Sequence, residues 1–150
     1  MASTLTNLLY HCVFSTKHRA PIILPSFRDN LYSYIGGIIR GEGGVPIEAG
    51  GMPDHIHLLV RLKPVHSLSD VLKVVKSKSS KRANEEKLVP GGFYWQTGYG
   101  AFTVSASQRL IVARYIQNQD SHHGQKTFQD ELRNLLKRHE IEFEERYVWD

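Results

Sequence analysis

The sequence predicts an α+β fold, a ferredoxin-like antiparallel sheet with helices packed on one face. Three observations lead there. Strand-like stretches alternate with stretches of helical periodicity, in the order strand, helix, two strands, helix, strand, then helices. The 150 residues, 41% hydrophobic and 10% aromatic, suffice for one domain with a real core. A barrel enzyme of about 250 residues is excluded by that length. No repeat, low-complexity tract or linker divides the chain, so residues 1–150 read as a single domain.

The elements follow in order. Leu5 to Ser15, rich in apolar and aromatic residues, reads as the first strand. Pro21 and Pro25 mark a turn, and Ser26 can cap a helix running to about Arg40. Phe27, Leu31, Tyr34, Ile35, Ile38 and Ile39 recur there at helical spacing. Gly36 and Gly37 weaken that helix, which suggests close packing. Val45 to Ala49 is a short strand, Gly50 to Asp54 a turn, and His55 to Leu62 a strand with Ile56 and Val60. Ser67 and Asp70 form an S-x-x-D capping box for a second helix from about Leu68 to Glu86, with Leu68, Val71, Leu72 and Val75 as its buried stripe.

Phe93 to Val104 reads as strand with a bend at Gly98 and Gly100. Ser105 or Ser107 can cap a third helix ending near Gly124, with His122 and His123 as C-terminal capping groups. A fourth helix is expected from Thr127 to His139, followed by an amphipathic or extended tail from Ile141 to Trp149. Glu140, Glu142, Glu144 and Glu145 read as a solvated face of that tail, and Cys12 as a core residue.

Composition narrows the function classes. One cysteine allows no internal disulfide framework and no multi-cysteine zinc site, which points to the reducing cytosol. Apolar runs are short, and the first residues lack a basic start before a sustained apolar stretch, so neither a membrane span nor a signal peptide is expected. The net charge of +4 is concentrated in residues 61–90, where eight Lys or Arg face three acids. Lys73, Lys76, Lys78, Lys81 and Arg82 fall largely outside the apolar stripe of the second helix. Such a stretch is either a solvated helix face or a surface for a phosphate-rich partner. The glycines from Gly41 to Gly51 lack the Lys-Ser/Thr ending of a phosphate-binding loop, and no nucleotide cofactor is expected.

The sharpest local feature is His55-Ile56-His57. Strand residues i and i+2 share a face, so the two imidazoles converge while Ile56 turns away. The pair can bind one divalent metal, or be two ordinary polar residues beside a turn. Leu59 stands where a nucleotidyl hydrolase of H-x-H-x-H pattern needs a third histidine, and neither histidine starts a His-x-Ser/Thr phosphoesterase element. On the third helix Tyr115 and Gln119 are spaced i, i+4 and share a face. The tyrosine suits a nucleophile or a half-buried core aromatic; the glutamine, a neutral oxygen ligand or a solvated residue.

Gly51-Met52-Pro53-Asp54-His55-Ile56-His57-Leu58-Leu59-Val60, then Tyr94-Trp95-Gln96-Thr97-Gly98-Tyr99-Gly100-Ala101-Phe102, then Tyr115-Ile116-Gln117-Asn118-Gln119 together resemble one family, the insertion sequence 200-like, single-tyrosine HUH transposases. Phe14-Ser15-Thr16-Lys17-His18-Arg19 and Glu145-Arg146-Tyr147-Val148-Trp149 look like that family too, so the likeness runs along nearly the whole chain in order. It implies an HUH endonuclease fold and a metal-dependent transposase that cleaves and rejoins single-stranded DNA through a 5′-phosphotyrosine. His55 and His57 match the HUH pair, Tyr115 the nucleophile and Gln119 the third metal ligand. The implied partners are DNA with hairpin ends and a second copy of the chain, in a prokaryotic cytoplasm, at the nucleoid when DNA is bound.

The implied chemistry is sound. A phenol of pKa about 10 is only about 0.1% ionised at pH 7, so Tyr115 needs activation. A divalent ion can polarise the scissile phosphate. Two imidazoles and an amide oxygen suit Mn2+ better than Mg2+, although cellular abundance favours Mg2+ and the family uses both. Lys17, Arg19 and the five basic residues of the second helix can track a DNA backbone, and Tyr94, Trp95 and Tyr99 can stack on bases or pack in the core. Two other readings compete: a non-catalytic nucleic-acid binding module on the same fold, and a metal-dependent nuclease that uses water instead of Tyr115.

Overall fold

The computed structural model describes residues 2–119 and 126–150. Its strands are β1 (Leu8–Ser15), β2 (Val45–Met52), β3 (His55–Leu62) and β4 (Gly100–Val104). The helices are α1 (Pro25–Gly41), α2 (Leu68–Glu85), α3 (Arg109–Gln117) and α4 (Phe128–Arg138), with short 3-10 turns at Lys17–Arg19 and Ala106–Gln108. The strand order is β2-β3-β1-β4 with every neighbour antiparallel, the ferredoxin-like arrangement. Among the described residues no helix is long and apolar enough to cross a membrane.

Strand alternation sorts the sheet into two faces. Cys12, Phe14, Ile56, Leu58 and Val60 pack on one face against Phe27, Leu31, Ile35 and Ile39 of α1 and Val71, Leu72 and Val75 of α2. Burial of Cys12 pushes its thiol up to about 12, consistent with an inert core residue. The opposite face, expected to be open, carries α3 and α4. Val13 and Phe102 meet Phe128, Leu132, Leu135 and Leu136 of α4 there, while α3 lies across β2.

Several boundaries move for identifiable reasons. The first strand starts at Leu8 rather than Leu5, which is exposed. Pro25, not Ser26, opens α1, because a proline at the first helical position has no N–H to leave unpaired. The strand expected to stop at Ala49 runs to Met52, leaving Pro53-Asp54 as a tight hairpin turn. Ser105 and Ser107 hydrogen-bond each other at 3.0 Å instead of capping α3. Ser67 and Thr127 do cap α2 and α4. The expected C-terminal end of the third helix, with His122, His123 and Gly124, lies outside the described residues. The tail beyond α4 forms neither helix nor strand, and its four glutamates are exposed.

The strand expected from Phe93 to Val104 shrinks to its second half. Before Gly100 the chain makes only a bridge between Thr16 and Trp95, with Phe93 and Trp95 turned into the core. Lys76 accounts for much of this. Its Nζ donates to the carbonyls of Gln96 (3.1 Å), Thr97 (3.1 Å) and Gly98 (2.6 Å), holding the segment against α2. Burial lowers its pKa to about 8. Lys76→Met is therefore expected to cost about 1–3 kcal/mol of stability. Urea denaturation checks this; wild-type stability in the variant would mean that the three carbonyls do not hold Lys76 in solution.

Candidate functional site

The β2–β3 hairpin sets the histidines. The Asp54 carbonyl accepts from Thr16 N–H at 3.0 Å, tying the turn to the end of β1. His55 and His57 then begin β3 on the face opposite Ile56, facing Met52 and Gly50 of β2 and Ser15 and Val13 of β1. Both imidazoles are fully buried. α3 crosses directly over β2 because a Cβ on Gly50 would lie 2.3 Å from the Ile116 carbonyl oxygen. That close approach brings Tyr115 and Gln119 over the histidines. Gln119 is buried, with Oε1 3.3 Å from His55 Nε2 and its amide nitrogen donating to the Tyr115 carbonyl. Tyr115 and His57 meet edge to face, ring centroids 5.7 Å apart.

Three residues join this group that sequence reading did not select. Glu131 reaches in from α4: Oε1 lies 2.8 Å from His57 Nε2 and 3.5 Å from His55 Nε2, and Oε2 accepts the Tyr115 hydroxyl. Its position carries a signal. Phe128, Glu131, Leu132, Leu135 and Leu136 form the buried stripe of α4 at i, i+3, i+4, i+7, i+8, so an acid stands where the pattern calls for a core residue. The other two anchor the far sides of the imidazoles. Asp54 Oδ1 lies 2.7 Å from His55 Nδ1, and His11 Nε2 lies 2.8 Å from His57 Nδ1. His11 follows strand parity from Leu9 and Val13, but only the register of β1 against β3 puts it beside His57.

The electrostatics follow from burial and these contacts. Burial, then the neighbouring His57, lowers His11 to about 3, so its ring is neutral at pH 7. Burial also works against a charged His55, but hydrogen bonds to Asp54 and Glu131 and their negative charge outweigh it and raise its pKa. Tyr115 is raised by burial and by the Glu131 carboxylate, with Gln119 and Arg138 opposing. One carboxylate oxygen thus faces the Nε2 atoms of two imidazoles whose Nδ1 atoms are already engaged. The ligand atoms of His55, His57 and Glu131 lie within 4.8 Å of one another. Two imidazoles, a carboxylate and an amide oxygen form a donor set that suits a divalent cation of the manganese type.

The basic residues divide. Lys17, Lys73, Lys78 and Lys81 are exposed. Lys76 is committed to the 96–98 carbonyls. Arg82 pairs with Glu86 at 2.7 Å, donates to Asn30 and lies over the Tyr34 ring, and Arg19 lies over Trp149. Of the three aromatics, Trp95 is core, donating to Ser79 Oγ at 2.9 Å, while Tyr94 and Tyr99 are 56% and 41% exposed.

Comparison with known proteins identifies the family. The family model for IS200-like transposases matches residues 4–119. The ISDra2 transposase TnpA of Deinococcus radiodurans is 31% identical over 119 residues, covering 75% of this chain and 84% of that protein. The IS200 transposase of Salmonella typhimurium is 30% identical over 131 residues, covering 79% and 81%. A crystal structure of a candidate transposase from Deinococcus radiodurans superposes with a TM-score of 0.63 at 30% identity, over 79% of this chain and 95% of that one. A REP-associated tyrosine transposase bound to a REP hairpin shares the fold, with a TM-score of 0.61 at 14% identity over 83% of this chain and 75% of that one. With the family model spanning most of its length and these relatives alongside, the chain belongs to the IS200-like transposase family.

Proposed function

We propose that this transposase cleaves and rejoins single-stranded DNA through a covalent bond to Tyr115. The observation that carries the reading is the meeting of Tyr115, His55, His57 and Gln119 at one point, from β3 and from α3 with the residues just after it, far apart in sequence. A binding module needs no such convergence. The Tyr115 oxygen attacks phosphorus, and the bond from phosphorus to the 3′ oxygen breaks. The products are a 5′-phosphotyrosine and a free 3′-hydroxyl. Glu131 Oε2, which already accepts the Tyr115 hydroxyl, takes the phenolic proton, and a solvent proton completes the leaving 3′-hydroxyl. A later 3′-hydroxyl reverses the step and joins strands, since the phosphodiester energy is kept in the covalent link.

His55, His57, Gln119 and Glu131 would hold the divalent metal, Mg2+ or Mn2+, which when bound neutralises charge on the scissile phosphate. His11 and Asp54 keep the two imidazoles turned so that both Nε2 atoms face the Glu131 carboxylate. Lys17, Lys73, Lys78 and Lys81 supply backbone contacts. A groove of about 430 Å³ between α2 and the 94–99 segment, lined by Lys73, Ser77, Ser80, Tyr94 and Tyr99, offers both charge and stacking surface for unpaired bases. Hairpin-ended DNA and a second copy of the chain are the partners this reading entails.

Single-stranded oligonucleotides from the gene's flanks, labelled 3′ of candidate cleavage sites and incubated with Mn2+, test the proposal on a denaturing protein gel. Wild type is expected to give a labelled protein band, and Tyr115→Phe none, with DNA binding nearly unchanged. Free cut product from Tyr115→Phe would assign the chemistry to water instead.

A further inference from the structure

A second cavity, of about 360 Å³, opens beside Tyr115 between α3 and α4, and neither the family motif nor the basic helix accounts for it. The volume is within the range of small-ligand sites. Its floor is the sheet face at His11 and Phe102, the latter stacked on the His139 ring at 4.5 Å and 25°. Ile111 lines the α3 side and is 58% exposed, a large apolar side chain outside both hydrophobic cores. Arg138 stands on the α4 side, exposed, close enough for its charge to act on the Tyr115 hydroxyl. Among the described residues lining the cavity none is acidic.

Apolar and aromatic walls, an exposed guanidinium and the Tyr115 side chain among the lining residues are the chemistry of a nucleotide site. A nucleobase finds apolar surface on Ile111 and a flat ring face on the exposed His139, which stacks on the buried Phe102, and a phosphate finds Arg138. An acidic or peptidic ligand of similar size would use the cation but would not need a site ending at Tyr115. We propose that the α3–α4 groove is a nucleotide subsite: it takes one unpaired base next to the phosphate presented to Tyr115, with Arg138 on that nucleotide's own phosphate. This deepens the reading of Tyr115 as nucleophile and rests on it. The groove then fixes which phosphate reaches the hydroxyl, a task the exposed lysines of α2 cannot perform.

The test uses the full chain and a fluorescent single-stranded oligonucleotide carrying a cleavable flank sequence. Arg138→Gln is compared with Lys137→Gln, which removes the same charge one residue away and outside the groove. Arg138→Gln is expected to weaken binding about tenfold and to reduce the slope of log K against log salt by about 0.7, one phosphate's worth on a single strand. Lys137→Gln should do neither, and Arg138→Lys should restore most of the slope. Ile111→Asp should weaken binding by a similar factor with an unchanged melting temperature. A single abasic position walked along the oligonucleotide should reproduce the Ile111→Asp defect only next to the phosphate that is cut, and should add nothing in that variant. If Arg138→Gln matches Lys137→Gln, or no abasic position couples to Ile111, the subsite is wrong. A wild-type adduct together with silent groove variants sinks the subsite alone, whereas groove defects without any adduct sink the Tyr115 reading alone.

Discussion

Glu131→Gln is expected to lower Mn2+ affinity at least about tenfold, or 1.4 kcal/mol, and to slow adduct formation by about 10² or more. The substitution keeps the side chain's size while removing the charge that faces both imidazoles and the acceptor of the Tyr115 hydroxyl. Its signature separates it from a structural lesion. His55 has a folded pKa above its unfolded value, so a protonated His55 stabilises the fold fully below about pH 6.5. That contribution is lost as pH rises through the raised folded value. Removing one of the two carboxylates that raise it shrinks the contribution, so the stability gap between metal-free variant and wild type should narrow as pH rises through the raised pKa. Metal and proton compete for His55, so Mn2+ affinity should rise with pH in wild type and level off at lower pH in the variant. Calorimetric Mn2+ titrations and urea denaturation from pH 5 to 9 read both effects. Wild-type Mn2+ affinity in Glu131→Gln would remove Glu131 from the ligand set.

How much of this was legible beforehand depends on whether the signal is local. The α1 stripe of Phe27, Leu31, Ile35, Ile38 and Ile39 and the α2 stripe of Val71, Leu72 and Val75 are buried as their periodicity predicts, because a helix face is fixed by its own sequence. His55 and His57 share a face for the same kind of reason. What the sequence could not show is which elements meet. His11 acquires its partner from a register between strands 46 residues apart, and Glu131 reaches His57 across 74. Lys76 looked like one more cation on a basic helix, and only the fold reveals three carbonyls waiting for it. The open sheet face failed for a related reason. The apolar residues of α4 were readable as a helix stripe, but not the surface that they would cover.

Gly50→Ala is expected to cost about 3 kcal/mol or more, at the upper end of overpacking penalties, although the change adds one methyl group. The added carbon would sit 2.3 Å from the Ile116 carbonyl oxygen and 3.0 Å from Ile116 Cγ2. The first of these is backbone, so no rotamer change relieves it and α3 itself must move. Because Ile116 lies next to Tyr115 in that helix, with Gln119 just beyond, the displacement reaches the hydroxyl and the amide that face the histidines. A shift of about 1 Å in a reacting group can cost 10² in rate, so adduct formation should fall even where the variant still folds. Gly37→Ala supplies the contrast. A Cβ there meets nothing within 4 Å, so this glycine serves no close packing in α1. Alanine should instead stabilise the helix by about 0.5–1 kcal/mol, a rise of roughly 1–4 °C in melting temperature. Thermal denaturation of the two variants, read beside their adduct rates, separates glycine kept for space from glycine merely tolerated. Wild-type stability in Gly50→Ala would mean that α3 does not rest on β2 in solution, and that Tyr115 reaches the histidines by another route.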